Sequence, residues 1–315
     1  MRNKQLASIS LDLDNLWSYM KTHGDEGWKD YPSYYDIFIP YVLNLLSELD
    51  IKITFFIVGR DAIDINNKNY LRKISEDGHD IGNHSFSHEV WINQYSKDQF
   101  EADLIKAEQA IFEATGKKTN GFRGPGFSWN KTMLEVLSDR QYLYDSSTLP
   151  TFIGPFARMY YFHRSKFSVD EMEKRESLFG PFSAGFRSLK PYFFVLKQDR
   201  KLLEIPITTI PVLRTPFHMS YLLYLSLFSS LLMKGYLYFA IFMCKITRTP
   251  INFLLHPLDI IGGDKTKELV FFPGMNIKSE KKVLVFREII EILKRNYNLV
   301  DMNTYALAIL KSKKK

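Results

Sequence analysis

Two histidines four residues apart, His84 and His88, stand in the stretch GHDIGNHSFSHEVW (78–91), which holds three of the chain's seven histidines. Imidazoles this close suit a metal. A catalytic zinc takes three protein ligands from His and Asp or Glu and keeps one position open. An interval of four brings both rings to one point if the chain turns helical after a strand. The same spacing also arises by accident or between merely hydrogen-bonded residues. The segment SLDLDN (10–15) adds Asp12 and Asp14 at the end of an apolar run. Two neighbouring carboxylates are costly unless a cation or an arginine offsets their charge. A turn capped by Asp14 explains one of them but fits the pair less well.

The elements that would bring these groups together are legible from periodicity. Short apolar runs at 6–12, 51–58, 79–84, 119–123, 142–147, 202–207, 251–256 and 297–302 read as strands. Several are too apolar for a sheet with one wet face. Amphipathic helices lie between them. In 97–114, Phe100, Leu104, Ala107, Ile111 and Ala114 share a face, with a Ser96/Gln99 capping box before it and Gly116 after it. In 280–295, Val283, Phe286, Ile290 and Leu293 repeat the pattern. This alternation predicts an α/β fold with parallel strands closed as a barrel of seven or eight strands. Asp12, Asp14, His84, His88, Arg123, Asp145 and His256 all fall at strand ends, which in such a barrel open on one face.

At 315 residues, 45 % apolar and 24 % charged, the chain is ordinary globular material, read as a single domain over 1–315 with an insertion at 150–200. One cysteine, Cys244, excludes a disulfide framework, fits a reducing compartment and reads as core. The first residues run directly into a strand-like segment, so the expected location is the cytoplasm. The net charge of +7 permits anionic partners, but no nucleic-acid motif accompanies it.

In order along residues 8–257, SLDLDN, HSFSH, FRGPGF, YDSS and LLHP resemble the five motifs of the polysaccharide deacetylase superfamily, the NodB homology domain. The resemblance implies a distorted (β/α) barrel and metal-dependent removal of an acyl group from a sugar. Position by position it implies Asp14, His84 and His88 as ligands of one divalent metal, zinc foremost. It implies Asp12 as general base with Arg123 orienting it, and His256 as general acid with Asp145 as its partner. Leu13 separates the two aspartates, which in the commoner pattern are adjacent. TLPTF stands where a tryptophan usually follows the fourth motif. Zinc would polarise an amide carbonyl and bring the pKa of bound water toward ~7. The base would take that water's proton, and the acid would protonate the departing nitrogen.

The loop at 17–35 follows the aspartates and is rich in aromatics. Trp17, Trp28 and Tyr31, with Pro125 and Phe127 of the third motif, are expected to wall the substrate; a packed lid is the other reading for the loop. Residues 219–243 are apolar with one charge, Lys234, long enough to span a bilayer. A single crossing, however, would strand His256 away from His84 and His88, and two crossings need about 40 residues. The segment 217–245 is therefore either a pair of helices packed on the barrel, broken near Lys234–Gly235, or a hairpin lying in the membrane interface. The aromatic and basic runs 152–164 and 189–197 favour the interface. Some members of the resembling family act in the cytoplasm on polyprenyl-phosphate-linked amino sugars. The expected function is thus N-deacetylation of such a sugar in lipopolysaccharide or other surface-glycan modification. The expected place is the inner membrane face, in peripheral contact with anionic lipid. A deformylase or other amide hydrolase on a related sugar, and a non-catalytic glycolipid-binding barrel, are the alternatives.

Overall fold

In the computed structural model, residues 4–154 and 182–313 are described, with positions 156, 159, 172, 173 and 175 between them. Within the expected insertion 150–200, most of 155–181 lies outside the described residues.

The apolar runs form strands β1 (Leu6–Leu13), β2 (Thr54–Ile57), β3 (Asp80–Asn83), β4 (Gly121–Phe122) and β5 (Tyr144–Asp145). They are followed by β6 (Tyr192–Val195), β7 (Lys201–Glu204), β8 (Ile251–Leu255) and β9 (Asn298–Val300). All eight expected strands are present. The ninth, β6, falls on the aromatic run 189–197 that the sequence reading gave to a membrane interface. It pairs antiparallel with β7 at the sheet edge, with Phe193 opposite Leu203. Its aromatic residues alternate across an edge strand, and Phe194 meets Trp129 at 5.1 Å.

The remaining ladders are parallel, and the sheet runs β6-β7-β5-β4-β3-β2-β1-β8, with β9 beside the start of β1. This is the expected α/β fold of parallel strands in a distorted arrangement that does not close among the described residues; the ladder stays open between β7 and β8. Extended residues after β7 approach β8 there: Thr208 N–H donates to the Asn252 carbonyl at 3.2 Å. The Asn252 amide in turn donates to the carbonyls of Ile205 and Pro206, each at 3.2 Å. Pro206 lacks an N–H and so cannot continue a ladder.

Helices α1 (Leu16–His23), α2 (Tyr35–Glu48), α3 (Gly59–Ile63), α4 (Ile65–Glu76) and α5 (Lys97–Thr115) come first. They are followed by α6 (Lys131–Asp139), α7 (Met219–Phe228), α8 (Ser230–Ile246), α9 (Ser279–Asn296) and α10 (Met302–Lys313). The Ser96/Gln99 box caps α5, and Gly116, at φ 70°, ends it. The main core joins β1, β2 and β8 to the inner faces of α2, α5, α7, α8 and α9.

The apolar segment is two helices, but it breaks at Ser229 and not near Lys234–Gly235. Ser229 is extended (φ −167°), and its hydroxyl accepts from the N–H groups of Leu231 and Leu232, capping α8. Gly235 lies inside α8, with open space where a Cβ would stand. One face of the pair is core: Leu222, Met233, Leu237 and Cys244 are fully buried. The opposite face leaves Phe228, Leu231 and Phe242 exposed. Among the described residues, no helix is long and apolar enough to cross a membrane.

Candidate metal centre and active site

β1 ends at Leu13, and Asp14 follows where the chain enters α1. β3 ends at Asn83, and His84 follows at once. The chain does not turn helical after it. Ser85 (φ 64°) and His88 (φ 50°) occupy the left-handed region, where side chains are strained. Hydrogen bonds hold this tight turn. Asp103, on α5, accepts from the N–H groups of Phe86 (2.7 Å) and Ser87 (3.2 Å). Ser85 N–H reaches Asn83 Oδ1 at 2.9 Å, and His88 N–H reaches Ser85 Oγ at 3.1 Å. Asp103 was not singled out from sequence, since its signal is only a carboxylate on the buried face of an amphipathic helix. Asp103→Ala should leave two N–H groups of the strained turn unpaired. Metal affinity is then expected to fall about 10–100-fold, the usual cost of losing an outer-shell partner. Equilibrium metal titration checks this; unchanged affinity would make the Asp103 contacts irrelevant to the site.

The turn brings one oxygen of Asp14 and one nitrogen each of His84 and His88 within 4.8 Å of one another. Asp14 Oδ1 lies 2.9 Å from His88 Nε2 and 3.6 Å from His84 Nε2. It nevertheless makes no hydrogen bond of acceptable geometry and is buried. His84 Nδ1 donates to the Arg123 carbonyl at 2.6 Å, which leaves Nε2 with a lone pair. Burial lowers the His84 pKa, favouring the neutral ring. Burial would raise that of Asp14, but His88, His84 and His256 outweigh it and hold the carboxyl at about 2. Three converging donors, two imidazoles and a carboxylate, fit a divalent cation.

Arg123 follows β4 and is fully buried. Its Nη1 donates to Asp12 Oδ1 at 2.5 Å and Ser10 Oγ at 3.0 Å. Its Nε and Nη2 reach the Ser146 carbonyl (3.1 Å) and hydroxyl (3.0 Å). Asp12 thus has one oxygen fixed by a guanidinium, while Oδ2 faces His256 Nε2 at 4.0 Å. The loop after Arg123 needs glycine at 124, where a Cβ would lie 1.9 Å from the Ser128 carbonyl oxygen.

The expected Asp145–His256 pair is not formed. Asp145 is buried at the end of β5 in register with Glu204 of β7. Ser147 donates to it from its hydroxyl (2.6 Å) and N–H (3.3 Å). The carboxylate beside His256 is Asp259, three residues on. It accepts the His256 N–H at 2.8 Å and lies 3.7 Å from Nδ1, at ion-pair distance. Burial disfavours the charged ring, but Asp259, with Asp12 and Asp14 behind it, overrides this and raises His256 to about 9. The LLHPLD sequence carried this signal, since an acid three residues after a strand-end histidine can cap the turn it starts.

The aromatic wall is also redistributed. Trp17 is buried; its Nε1–H donates to Asp61 at 2.8 Å, and its ring meets His88 edge-on at 6.2 Å. It packs behind a candidate ligand and presents no face to substrate. Asp61 also accepts from Asn15 (2.7 Å) and Tyr35 (3.1 Å); burial dominates these bonds and raises it to about 6. Trp28 and Tyr31 meet each other at 6.0 Å under the cations of Lys21 and Arg60, away from the cavity. Pro125 is buried, and of the expected set Phe127 alone lines the cavity.

That cavity measures about 350 Å³. Its polar end is Asp12, Asp14, His84, His88, His256 and Asp259. Tyr19 also lines it, with a buried hydroxyl that has no partner. The sequence reading passed over Tyr19, which is a plain aromatic on the first turns of α1. The other walls come from α7 and from 272–277, stretches with no motif.

The polysaccharide deacetylase family model matches residues 25–144. The peptidoglycan deacetylase of Helicobacter pylori is 25% identical over 160 residues, 50% of this chain and 54% of that protein. The peptidoglycan-N-acetylglucosamine deacetylase PgdA of Listeria monocytogenes is 30% identical over 98 residues, 31% of this chain and 20% of that protein. The chain thus spans between a fifth and about half of these relatives' own lengths. A Mycobacterium smegmatis crystal structure assigned to the polysaccharide deacetylases superposes with a TM-score of 0.55 at 16% identity. It covers 98% of this chain and 92% of that one, a likeness of fold.

Proposed function

We propose, for a chain that belongs to the polysaccharide deacetylase superfamily, hydrolytic N-deacetylation of an amino sugar. The observation that carries this reading is the convergence of two imidazoles and a carboxylate beside an Arg-held aspartate and an Asp-held histidine. Zinc suits that donor set, and when bound it supplies Lewis-acid polarisation of the scissile carbonyl. Asp14, His84 and His88 hold it. Asp12, oriented through Oδ1 by Arg123, takes the proton of the attacking water. His256 gives its proton to the sugar nitrogen as the C–N bond breaks, releasing acetate and a free amine. Asp259 keeps that ring protonated and turned toward the nitrogen.

His256 acts while protonated, so activity should fall as pH rises through its pKa. Asp259 raises that pKa; Asp259→Asn should therefore move the alkaline limb of the kcat/KM profile to lower pH. The shift has the same sign if a bound cation lowers the limb in both proteins. An unmoved limb would separate Asp259 from the general acid.

The sugar is carried on polyprenyl phosphate at the cytoplasmic face of a membrane, and the exposed outer face of α7 and α8 touches lipid. The support is Phe228, Leu231 and Phe242 in the open on a helical pair too short to cross. The test uses N-acetylated, polyprenyl-phosphate-linked hexosamine in anionic vesicles, with the released acid read by mass spectrometry. Acetate release with protein pelleting at low salt is expected. Joint replacement of Phe228, Leu231 and Phe242 by serine should abolish pelleting. Formate release from the N-formyl analogue, with the N-acetyl compound left intact, would make the enzyme a deformylase. A wild type that ignores vesicles would remove the membrane reading.

A further inference from the structure

Away from the triad the cavity is mostly apolar, with Ser18, Tyr19, Thr22 and Ser220 as its other polar lining. Opposite the triad, its wall is Leu223, Tyr224 and Leu227 of α7, faced by Leu258, Phe272 and Ile277. None of these side chains offers the array of hydrogen-bond partners that sugar hydroxyls need, and a hydroxyl left unpaired there costs about 1–3 kcal/mol. The wall is also not sealed. Leu223 is buried, but Leu227 is 40% and Tyr224 61% exposed, and the Tyr224 ring stands 5.3 Å from that of Phe228. Leu223, Tyr224, Leu227 and Phe228 share one side of α7, so apolar side chains lead from the cavity toward the exposed face of the helical pair. Past Ser229 lies a second, shallower groove walled by Leu231, Leu232, Tyr236 and Phe239.

We infer that this wall is a binding subsite for a hydrocarbon chain attached to the sugar through its anomeric carbon, and that Leu223 and Leu227 set the preference for it. The inference rests on the N-deacetylase reading of the triad and adds what lies next to the scissile group. The apolar insertion is then part of the substrate site as well as a surface. Its inner end shapes the catalytic cavity, and its outer end leads the chain away from the protein. A bare polysaccharide gains nothing from such a wall. A chain buried along it gains about three- to fourfold in affinity per methylene fully removed from water.

The test compares methyl and octyl N-acetylglucosaminides, below the micelle concentration of the octyl compound, with the zinc-loaded full-length protein. The octyl compound should exceed the methyl one by at least about tenfold in kcat/KM. Leu223→Asn and Leu227→Asn should each bring that ratio toward one. Leu227 is partly exposed, so its variant provides the reading if Leu223→Asn fails to fold. Calorimetric titration of both glycosides is the second arm. If neither is hydrolysed but the octyl compound binds at least about tenfold tighter, the subsite stands and the catalytic reading falls. Hydrolysis with equal kcat/KM and equal affinity for the two glycosides overturns the subsite and leaves the deacetylase. A methyl glycoside bearing an N-octanoyl group, if preferred to the octyl N-acetyl compound, overturns the anomeric attachment and makes the wall an acyl pocket.

Discussion

His84→Ala and His88→Ala are each expected to reduce bound zinc from about one ion per chain to a small fraction, and hydrolysis with it, while the fold persists. Losing an outer-shell partner already costs about 10–100-fold in affinity, so losing one of three ligands should cost more. The fold should survive because the turn is held from outside the triad. Asp103 caps the N–H groups of Phe86 and Ser87, and neither bond passes through an imidazole. The two variants also differ usefully. Removing the His84 ring leaves the Arg123 carbonyl without its Nδ1–H donor, whereas His88 Nδ1 has no partner to lose. His84→Ala is therefore the more destabilising of the pair. Metal content by elemental analysis, with circular dichroism for the fold, checks both. Full occupancy in both variants would mean that the metal, if any, lies elsewhere.

The second large effect concerns the base. Asp12→Asn should keep the metal and lower the rate by about 10²–10⁴, the range for loss of general acid–base catalysis. The amide oxygen can still accept from Arg123 Nη1, so the geometry is retained while the proton acceptor is lost. Leu13 between the two aspartates leaves their roles open in sequence. In the structure Asp12 is committed to Arg123, and Asp14 converges with the two imidazoles. If Asp12→Asn instead loses the metal and Asp14→Asn keeps it, the roles are exchanged.

The strands were readable because each is a short apolar run between helical patterns, and the strand ends carried most of the polar groups that converge. Three features were not readable, each for a physical reason. Asp145 and His256 both lie at strand ends, but sequence does not show which oxygens a neighbouring strand will occupy. Glu204, in register with Asp145, and Ser147 fill that place. Trp17 looks like a sugar-stacking face until its indole N–H is seen to be committed to buried Asp61. The apolar helices bear no motif, so nothing in their sequence ties Leu223 or Leu227 to the catalytic cavity. That proximity comes from the helix entering beside His256 at His218, whose ring lies 6.4 Å away. The break at Ser229 was missed because Gly235 is the more conspicuous helix breaker. Ser229 works through its side chain, which caps the following helix.

The most direct measurement is the initial rate of acetate release from an N-acetylated, lipid-linked hexosamine as zinc is added stepwise to metal-free protein. The rate should rise linearly to about one equivalent per chain and then level, with free amine appearing in step with acetate. His88→Ala protein should stay flat across the same titration. A rate that does not depend on added metal, or a His88→Ala protein that titrates like the wild type, would contradict a metal held by Asp14, His84 and His88.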